Sequence, residues 1–194
     1  GRRVTGMVGD ATDPATLEGF YANVQRDFSR LDIVVNVVGG VRHSPLIGKA
    51  PEECAREIQR NYGYVIESVR HAVPLIRRGG RGGSIVNFTT IEAHRRAAGF
   101  AVYAGAKAAT ANFTRSMAVE LAPERIRLNA LAPDITPSRG NMQAMAPEIF
   151  EDMSRLPPEV AGMAMRMYIP MKDPPQPDDL ANGVLFLASD LAAF

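Results

Sequence analysis

Tyr103 and Lys107 have the types and the spacing that proton transfer needs. They are separated by Ala-Gly-Ala, and on a helix the side chains at positions i and i+4 lie on one face. A lysine ammonium in that place stabilises a neighbouring phenolate and lowers the pKa of the tyrosine from about 10 toward the working pH. A tyrosine so adjusted can act as a general acid or base. The same spacing also arises on an ordinary solvated helix face, so the pair alone does not establish a site.

The elements around this pair alternate between strand-like and helix-like patterns. Short apolar runs predict four strands, at 4–8, 33–35, 85–88 and 126–131. Helical periodicity, with prolines near several of the boundaries, predicts helices at 14–28, 51–76, 100–121 and 177–187. Strands that alternate with helices in this way predict an α/β fold, in which a parallel sheet is covered by helices on both faces.

The stretch 133–177 differs in composition from the rest. It holds nine of the 14 prolines and seven of the nine methionines, and it is too long for an ordinary connection. We therefore expect a substrate lid at about 139–171. Methionine side chains are flexible and suit irregular apolar ligands, so the lid favours a hydrophobic substrate such as a steroid, a terpenoid or an acyl chain. Plain core packing is the alternative interpretation of the same methionines.

Composition excludes several classes of function. The chain has 22 Lys+Arg against 21 Asp+Glu, which argues against a broad nucleic-acid surface. No apolar run approaches the 18 residues or so of a membrane span. The single cysteine, Cys54, cannot form an intrachain disulfide and suits a reducing, cytoplasmic location. The three histidines lack metal-ligand spacing, so no metal site is expected.

Seven segments, in order along nearly the whole chain, resemble motifs of the short-chain dehydrogenase/reductase family. They are Gly9–Asp13, which resembles the adenine-binding segment; 31–39, which resembles D-x-L-V-N-N-A-G; Asn61, at the position of the helix asparagine; 83–90, which resembles G-S-I-V-N-I-S-S; Tyr103 with Lys107, which fill Y-x-x-x-K; 126–133, which resembles I-R-V-N-x-V-x-P; and 185–190, which resembles the segment before the last strand. The resemblance implies a single Rossmann-like domain over 1–194, with a doubly wound sheet. It also implies an NAD(P)-dependent oxidoreductase that interconverts a secondary alcohol and a ketone.

The resemblance further implies a role for each matching residue. Tyr103 exchanges a proton with the substrate oxygen, Lys107 assists it and binds the nicotinamide ribose, and Asn61 holds a water that relays protons to Lys107. Thr90 stands where a serine normally hydrogen-bonds the substrate carbonyl. Contacts to NAD or NADP are implied for Asp10 and Ala11 at the adenine, for Asn36, Val37, Val38 and Gly39 at the ribose, and for Pro133, Ile135, Thr136 and Ser138 at the nicotinamide end.

The sequence departs from the family pattern in several places. Thr90 replaces serine, Val37-Val38 replaces Asn-Ala, and Asp134 replaces a glycine; none of these removes the chemistry. The glycine turn G-x-x-x-G-x-G is absent. We therefore expect a domain truncated at both ends, with about 60 residues of two βα units missing before Gly1. In the family order, this leaves a gap of about 14 Å between the strand at 4–8 and the strand at 31–36.

Two other functions share these features. A relative that performs dehydration or epimerisation would use the same Tyr/Lys pair, and a non-catalytic scaffold could retain the fold without the cofactor. Comparing the intact mass of the protein with the mass that the full reading frame encodes would distinguish the scaffold from the enzymes. Besides a small-molecule substrate, we expect a second copy of the chain as partner, since the family pairs its two long helices into homodimers or homotetramers. Small residues at Ala104, Ala108 and Ala111 would permit that approach.

Overall fold

The computed structural model describes residues 3–134, 136, 169, 171 and 175–193. Its regular elements are α1 (Pro14–Asp27), β1 (Ile33–Asn36), α2 (Pro51–Ile58), α3 (Tyr64–Gly79), β2 (Gly83–Phe88), α4 (Ala101–Leu121), β3 (Ile126–Leu131) and α5 (Pro177–Ala188). A π-helical turn, Gln59–Gly63, joins α2 to α3. The helix predicted at 51–76 is thus two α-helices with a π turn between them, and it continues past Pro74 to Gly79. In this part of the chain, no helix has the length and apolar character that a bilayer crossing requires.

The three strands form one parallel sheet in the order β1-β2-β3. Val34 lies beside Ile85 in the register of the first pair, and Ile85 lies beside Leu128 in the second. Parallel neighbours need a crossover between them, and helices α2 to α4 supply these crossovers. Because all three strands run the same way, their carboxyl ends meet at one edge of the sheet, the place where open α/β sheets bind ligands.

Helices cover both faces of this sheet. On one face, Val34, Ile85 and Leu128 belong to a buried apolar cluster that they share with α1, α3 and α4. On the other face lies α5, where Ser84 Oγ and Arg127 Nη1 donate to the carbonyl of Leu187 at 3.1 and 2.9 Å. This arrangement confirms the predicted α/β fold of three layers.

The first predicted strand is wrong. Residues 4–8 form no strand, and Val4 and Val8 are 88% and 103% exposed. A strand is stable only when its backbone groups pair with a neighbour, and no described strand lies beside this segment. Instead, an apolar cavity of about 300 Å³ separates Met7 and Gly9 from β1.

Strand β1 is also less buried than its apolar sequence predicts. Val34 is buried, whereas Ile33 and Val35, on the opposite face, are about half exposed. Helix α5 packs on β2 and β3 and does not extend over β1. The continuous apolar run Ile-Val-Val therefore has only one covered face in the described part of the chain.

Candidate active site

Three of the predicted catalytic residues lie at the carboxyl edge of β2. Thr90 follows this strand in an extended conformation, and α4 carries Tyr103 and Lys107 in its first two turns. Lys107 is only 3% exposed, and its Nζ donates to the carbonyl of Phe88, the last residue of β2, at 2.8 Å. This bond holds the start of α4 against the strand end, with Tyr103 one turn before it.

Asn61 enters the same site from the π turn. Its Nδ2 donates to the carbonyls of Gly40 and Glu57 at 2.8 and 2.9 Å, and its Oδ1 accepts from the Gly40 N–H at 3.1 Å. A π turn adds one residue to a helical turn and is frequent at functional sites. The fully buried Asn61 side chain thereby clamps the loop that follows β1. Thr110 of α4 donates to the Asn61 carbonyl at 2.8 Å and fixes the turn from the other side.

Gly39 lies where these groups converge. A β-carbon added to Gly39 would lie 3.0 Å from both Asn61 Oδ1 and Lys107 Nζ, tighter than side chains normally allow. A side chain at this position would require Asn61 or Lys107 to shift, and glycine avoids that shift. The structure thus brings Gly39, Asn61 and Lys107 together, and it places Thr90 beside Tyr103.

The electrostatics of the pair differ from the expectation that its spacing gave. Burial lowers the pKa of Lys107 to about 8. Burial also raises the pKa of Tyr103, and the carboxylates of Glu92 and Glu57 add to this increase, whereas hydrogen bonding to Thr90 opposes it. The spacing of Tyr103 and Lys107 predicts a lowered pKa for the tyrosine. The direction is reversed chiefly because the phenol is buried, and the carboxylates of Glu92 and Glu57 add to this effect.

Glu92 is a residue of this site that the sequence analysis did not single out. Thr90 Oγ1 donates to Glu92 Oε2 at 2.5 Å, and Arg95 binds Glu92 at 2.6 Å and Asp134 at 3.2 Å. Burial opposes ionisation of Glu92, but the bonds from Thr90 and Arg95 prevail, and its pKa is lowered. The sequence does contain a sign of this role, because Glu92 is a carboxylate only two residues after Thr90, in the turn that follows the strand.

The predicted adenine-binding residues lie at the start of α1. Asp10 Oδ1 accepts from the N–H and the hydroxyl of Thr12, both at 2.8 Å, which closes a turn at the exposed surface. Ala11 packs against the apolar core. This turn and the loop after β1 therefore lie on opposite sides of the cavity that adjoins β1.

The side chain of Asn36 is occupied by a buried polar network. Its Nδ2 donates to Asn87 Oδ1 at 2.8 Å, and its Oδ1 accepts from Ser68 at 2.6 Å. Tyr21 shares a hydrogen bond with Ser68, and Asn87 donates to Thr114. Both asparagines therefore connect the sheet to its helices, so only the backbone of Asn36 is left for a cofactor.

The other predicted cofactor residues are placed as follows. Val37 and Val38 are exposed at the strand end. The carbonyl of Pro133 accepts from the Ile91 N–H at 3.0 Å, and Thr136 is buried, with its hydroxyl bound to the Asp134 carbonyl. Two predicted cofactor residues, Ile135 and Ser138, lie outside the described residues. The predicted lid at 139–171 also lies outside them, apart from residues 169 and 171.

The residues at this edge fit a nicotinamide dinucleotide. A lysine ammonium has three donors, and within the described residues Lys107 uses one of them, to Phe88. The absent side chain of Gly39 leaves the backbone open beside it. Lys107, Thr136 and the backbone of 36–39 could hold the nicotinamide half. Among the described residues, no cluster of His, Cys, Asp or Glu could hold a metal ion.

The comparisons with known proteins identify the family. The family model described as enoyl-(acyl carrier protein) reductase matches residues 1–194. The chain belongs to the short-chain dehydrogenase/reductase family. The resemblance read from the seven motifs is thus confirmed.

Relatives within this family have several substrates. An uncharacterized oxidoreductase of Mycobacterium tuberculosis is 33% identical over all of this chain and 69% of its own length. The 3α-hydroxysteroid dehydrogenase of Mediterraneibacter gnavus is 30% identical over 99% of this chain and 71% of its own. Carveol dehydrogenase from Mycobacterium avium, solved in complex with NAD, superimposes with a TM-score of 0.84 and 29% identity, over 96% of this chain and 68% of that one. Membership of the family supports oxidoreductase activity with a nicotinamide cofactor.

Proposed function

We propose that this chain belongs to an NAD- or NADP-dependent oxidoreductase that interconverts a secondary alcohol and a ketone. The observation that carries the proposal is the convergence of four groups at the carboxyl edge of the sheet. Lys107 is buried between the Phe88 carbonyl and Gly39, Asn61 clamps the loop beside it, and Tyr103 lies one helical turn away next to Thr90. Side chains held by their own hydrogen bonds are preorganised for catalysis.

The proton chemistry belongs to Tyr103 and Thr90. In the reduction direction, both hydroxyls hydrogen-bond the carbonyl oxygen, and Tyr103 donates its proton to that oxygen. Because its pKa is raised from the ordinary value by burial, Tyr103 is protonated near neutral pH and has the proton to donate. The bound cofactor supplies the hydride that reaches the carbonyl carbon. Thr90 must turn its hydroxyl from Glu92 to the substrate, since the two are hydrogen-bonded in the structure.

Lys107 and Asn61 would return the proton to Tyr103. The Asn61 carbonyl accepts a hydrogen bond from Thr110, which fixes its position. We place the relay water beside Asn61, where it would connect to Lys107. Since burial lowers the pKa of Lys107 to about 8, this ammonium gives up a proton far more readily than a solvated lysine does.

An apolar substrate agrees with two observations. Two relatives are named for apolar alcohols, a hydroxysteroid and carveol. The methionine-rich segment 139–171, which we propose as the lid of a single domain, provides flexible apolar side chains. For the cofactor, we propose contacts from Asp10 and Ala11 at the adenine, and from Pro133, Ile135, Thr136 and Ser138 at the nicotinamide.

We further propose that the protein is a homodimer or homotetramer that uses α4. Ala104 and Ala108 are partly exposed on this helix, and Gly105 has open space around it. Ala111, by contrast, is buried in its own subunit and takes no part in such an interface. Sedimentation at micromolar concentration tests this proposal, and a monomer alone would contradict it.

The oxidoreductase proposal is tested by the substitution Tyr103→Phe in the full-length protein. Turnover of carveol and of a 3α-hydroxysteroid is followed by formation of NADH or NADPH. Loss of the proton donor should lower kcat by at least about 100-fold, while cofactor binding survives. The matched control is Tyr64→Phe, since the buried Tyr64 hydroxyl has no partner among the described residues. Near wild-type turnover by Tyr103→Phe would refute the proposal.

A further inference from the structure

A cavity of about 600 Å³ lies between the loop 40–49 and helix α2, with the π turn at its end. Its wall is polar and strongly charged, unlike the apolar cavity beside β1. The charged side chains that line it are Arg42, Lys49, Glu53, Arg56, Glu57 and Arg60.

The charges of this basic cavity do not balance. Lys49 and Glu57 form a buried ion pair and cancel each other. The three arginines, Arg42, Arg56 and Arg60, remain against the single carboxylate of Glu53, so the wall has a net charge of about +2. Within the described residues, none of these arginines has a carboxylate within ion-pair distance, and Arg60 acts on Asp10 only at longer range. Like charges this close repel one another until an anion binds between them.

A buried acceptor lies in the same wall. Glu57 Oε2 is bound to Lys49, whereas its Oε1 is buried and has no hydrogen-bond donor in the described part of the chain. Buried polar atoms are nearly always paired, and an unpaired one calls for a missing partner. The hydroxyl of a singly protonated phosphate ester would supply the donor.

The basic cavity adjoins the catalytic groups. Gly40 lines it, and this is the residue whose N–H and carbonyl are both held by Asn61. His43, also in its wall, packs edge-on against Phe100 at 5.1 Å between ring centroids, and Phe100 lies 6.4 Å from the ring of Tyr103. One aromatic ring therefore stands between the cavity wall and the proton donor, and a substrate that reaches both would pass beside Phe100.

We propose that this cavity binds an anionic group, a carboxylate or a phosphate ester, at the far end of the substrate whose alcohol or ketone carbon lies at Tyr103. This inference rests on the proposed function and refines it, since an apolar chain would then end in a charged group. The guanidinium of arginine matches carboxylate and phosphate oxygens with two parallel hydrogen bonds. Three arginines in one wall can therefore select such a group over a neutral one.

Direct binding to the full-length protein tests the proposal. Isothermal titration would compare 6-oxoheptanoate and 5-oxohexyl phosphate with the neutral 6-oxoheptanamide, which has the same carbon chain as the acid. We expect at least one of the anions to bind about tenfold more tightly than the amide. Arg56→Gln and Arg60→Gln should each remove most of that preference and leave amide binding unchanged. Higher salt should reduce the preference as well, because it screens exposed charges.

Arg78→Gln is the control, since it removes the same charge from an exposed arginine near the end of α3, outside the cavity wall. Arg60→Lys keeps the charge and should retain part of the preference. The anion that binds more tightly identifies the group as carboxylate or phosphate. Equal affinities for both anions and the amide, or an equal effect of Arg78→Gln and Arg60→Gln, would overturn the proposal.

Turnover measured on the same three ketones separates this inference from the proposed function. If anions bind selectively through the arginines but no ketone is reduced, the anion site stands and the oxidoreductase proposal fails. If the neutral ketone is reduced as efficiently as the anionic ones, the oxidoreductase proposal stands and the anion site fails.

Discussion

The carboxyl edge of the sheet, where we propose the catalytic groups, and the basic cavity are neighbours, yet their charged groups differ in exposure and in pairing. At the edge, Lys107 is withdrawn from water and held by the Phe88 carbonyl, while Asn61 and Thr90 find hydrogen-bond partners within the chain. In the cavity, Arg42, Arg56 and Arg60 are exposed and have no carboxylate partner among the described residues. The polar groups of the edge are therefore held by the chain itself before any ligand arrives, although Thr90 must still turn toward a substrate, whereas the cavity wall has charges that a ligand would neutralise.

Under the proposed function, the groups at the edge take part in the reaction, whereas the arginines of the cavity recognise the ligand. Proton transfer needs donors and acceptors fixed to within a fraction of an ångström, and packing fixes them. Recognition of an anion tolerates mobile side chains, because the attraction acts over several ångströms. The fixed geometry of the edge therefore has an energetic cost, because the folded protein must bury the charge of Lys107.

The largest expected effect comes from Lys107→Met. Activity should fall at least about 100-fold, because the proton relay and the ribose contact that we propose for Lys107 would be lost. Stability should change in the other direction. Burial lowers the pKa of Lys107 to about 8 from 10.5, so the charged lysine costs up to about 3 kcal/mol at pH 7. The cost is fully present below pH 8 and disappears as the pH rises to about 10.5, where the unfolded chain also loses the proton.

Denaturant unfolding checks this prediction. The free energy of unfolding of Lys107→Met should exceed that of the wild type by about 1–3 kcal/mol at pH 7, after the lost bond to Phe88 is allowed for, and the difference should shrink by pH 10. Lys49→Met is the matched comparison, because this lysine is also buried but has a partner, Glu57. Its loss leaves an unpaired carboxylate and should destabilise by about 3 kcal/mol. If both substitutions raised the free energy of unfolding, or both lowered it, the expected difference between an unpaired and a paired buried lysine would be contradicted.

Thr90 tests whether the edge uses its hydroxyl. Thr90→Val is nearly isosteric and should lower kcat by about 100-fold, the scale on which one donor to a developing oxyanion acts. Thr90→Ser keeps the hydroxyl and should remain active. Steady-state rates on one ketone suffice to compare them. Equal rates for the serine and valine variants would show that this position only packs.

Thr110 tests the packing that holds the π turn. Its hydroxyl oxygen lies 2.8 Å from the Asn61 carbonyl and 3.1 Å from the Ala106 carbonyl, and its single O–H donates to the nearer one, Asn61. Thr110→Val leaves the Asn61 carbonyl buried without this donor, and it should lower the free energy of unfolding by about 1–3 kcal/mol. Thr110→Ser should recover most of that loss. A valine variant as stable as the wild type would mean that the turn does not depend on this bond.

The smallest expected effect is a shift of a pH profile by Glu92→Gln. The Glu92 carboxylate adds to the burial that raises the pKa of Tyr103, and alcohol oxidation requires Tyr103 to be deprotonated. Removing the charge lowers that pKa, so the rise of kcat/KM with pH should move to lower pH. Glu67→Gln, on the exposed ion pair with Arg70, is the control. A profile that stays in place or moves to higher pH would contradict the electrostatic account.

Much of this molecule could be predicted from its sequence. The strands at 33–36, 83–88 and 126–131 and the helices at 14–27 and 101–121 follow from apolar periodicity, prolines and local capping, such as that of α1 by Asp13. Local patterns of this kind are sufficient where an element finds its partners within the described chain. The segment 4–8 has the apolar pattern of a strand but no strand beside it, and a single-sequence pattern does not reveal whether a partner is present.

The sequence predicts which residues meet at the carboxyl edge of the sheet, but it does not predict their pKa shifts. Tyr103, Lys107, Thr90 and Asn61 were found because they match motifs. Burial is the main cause of the raised pKa of Tyr103, and Glu92 and Glu57 add to it. Burial depends on the fold, and Glu57 is distant in sequence and is brought close by α2. The arginines of the basic cavity are spread over residues 42–60, and only the fold shows that they share one wall.

The most direct test of the central claim is transfer of deuterium. The full-length protein would be given a ketone together with NADH or NADPH that carries deuterium at both positions of C4 of the nicotinamide ring, and the alcohol product would be analysed by mass spectrometry. We predict that the product carries deuterium at the former carbonyl carbon, and that Tyr103→Phe forms it at least about 100-fold more slowly. An alcohol without deuterium, or equal rates of transfer in the wild type and the variant, would contradict the assignment of this edge as the active site of an alcohol–ketone oxidoreductase.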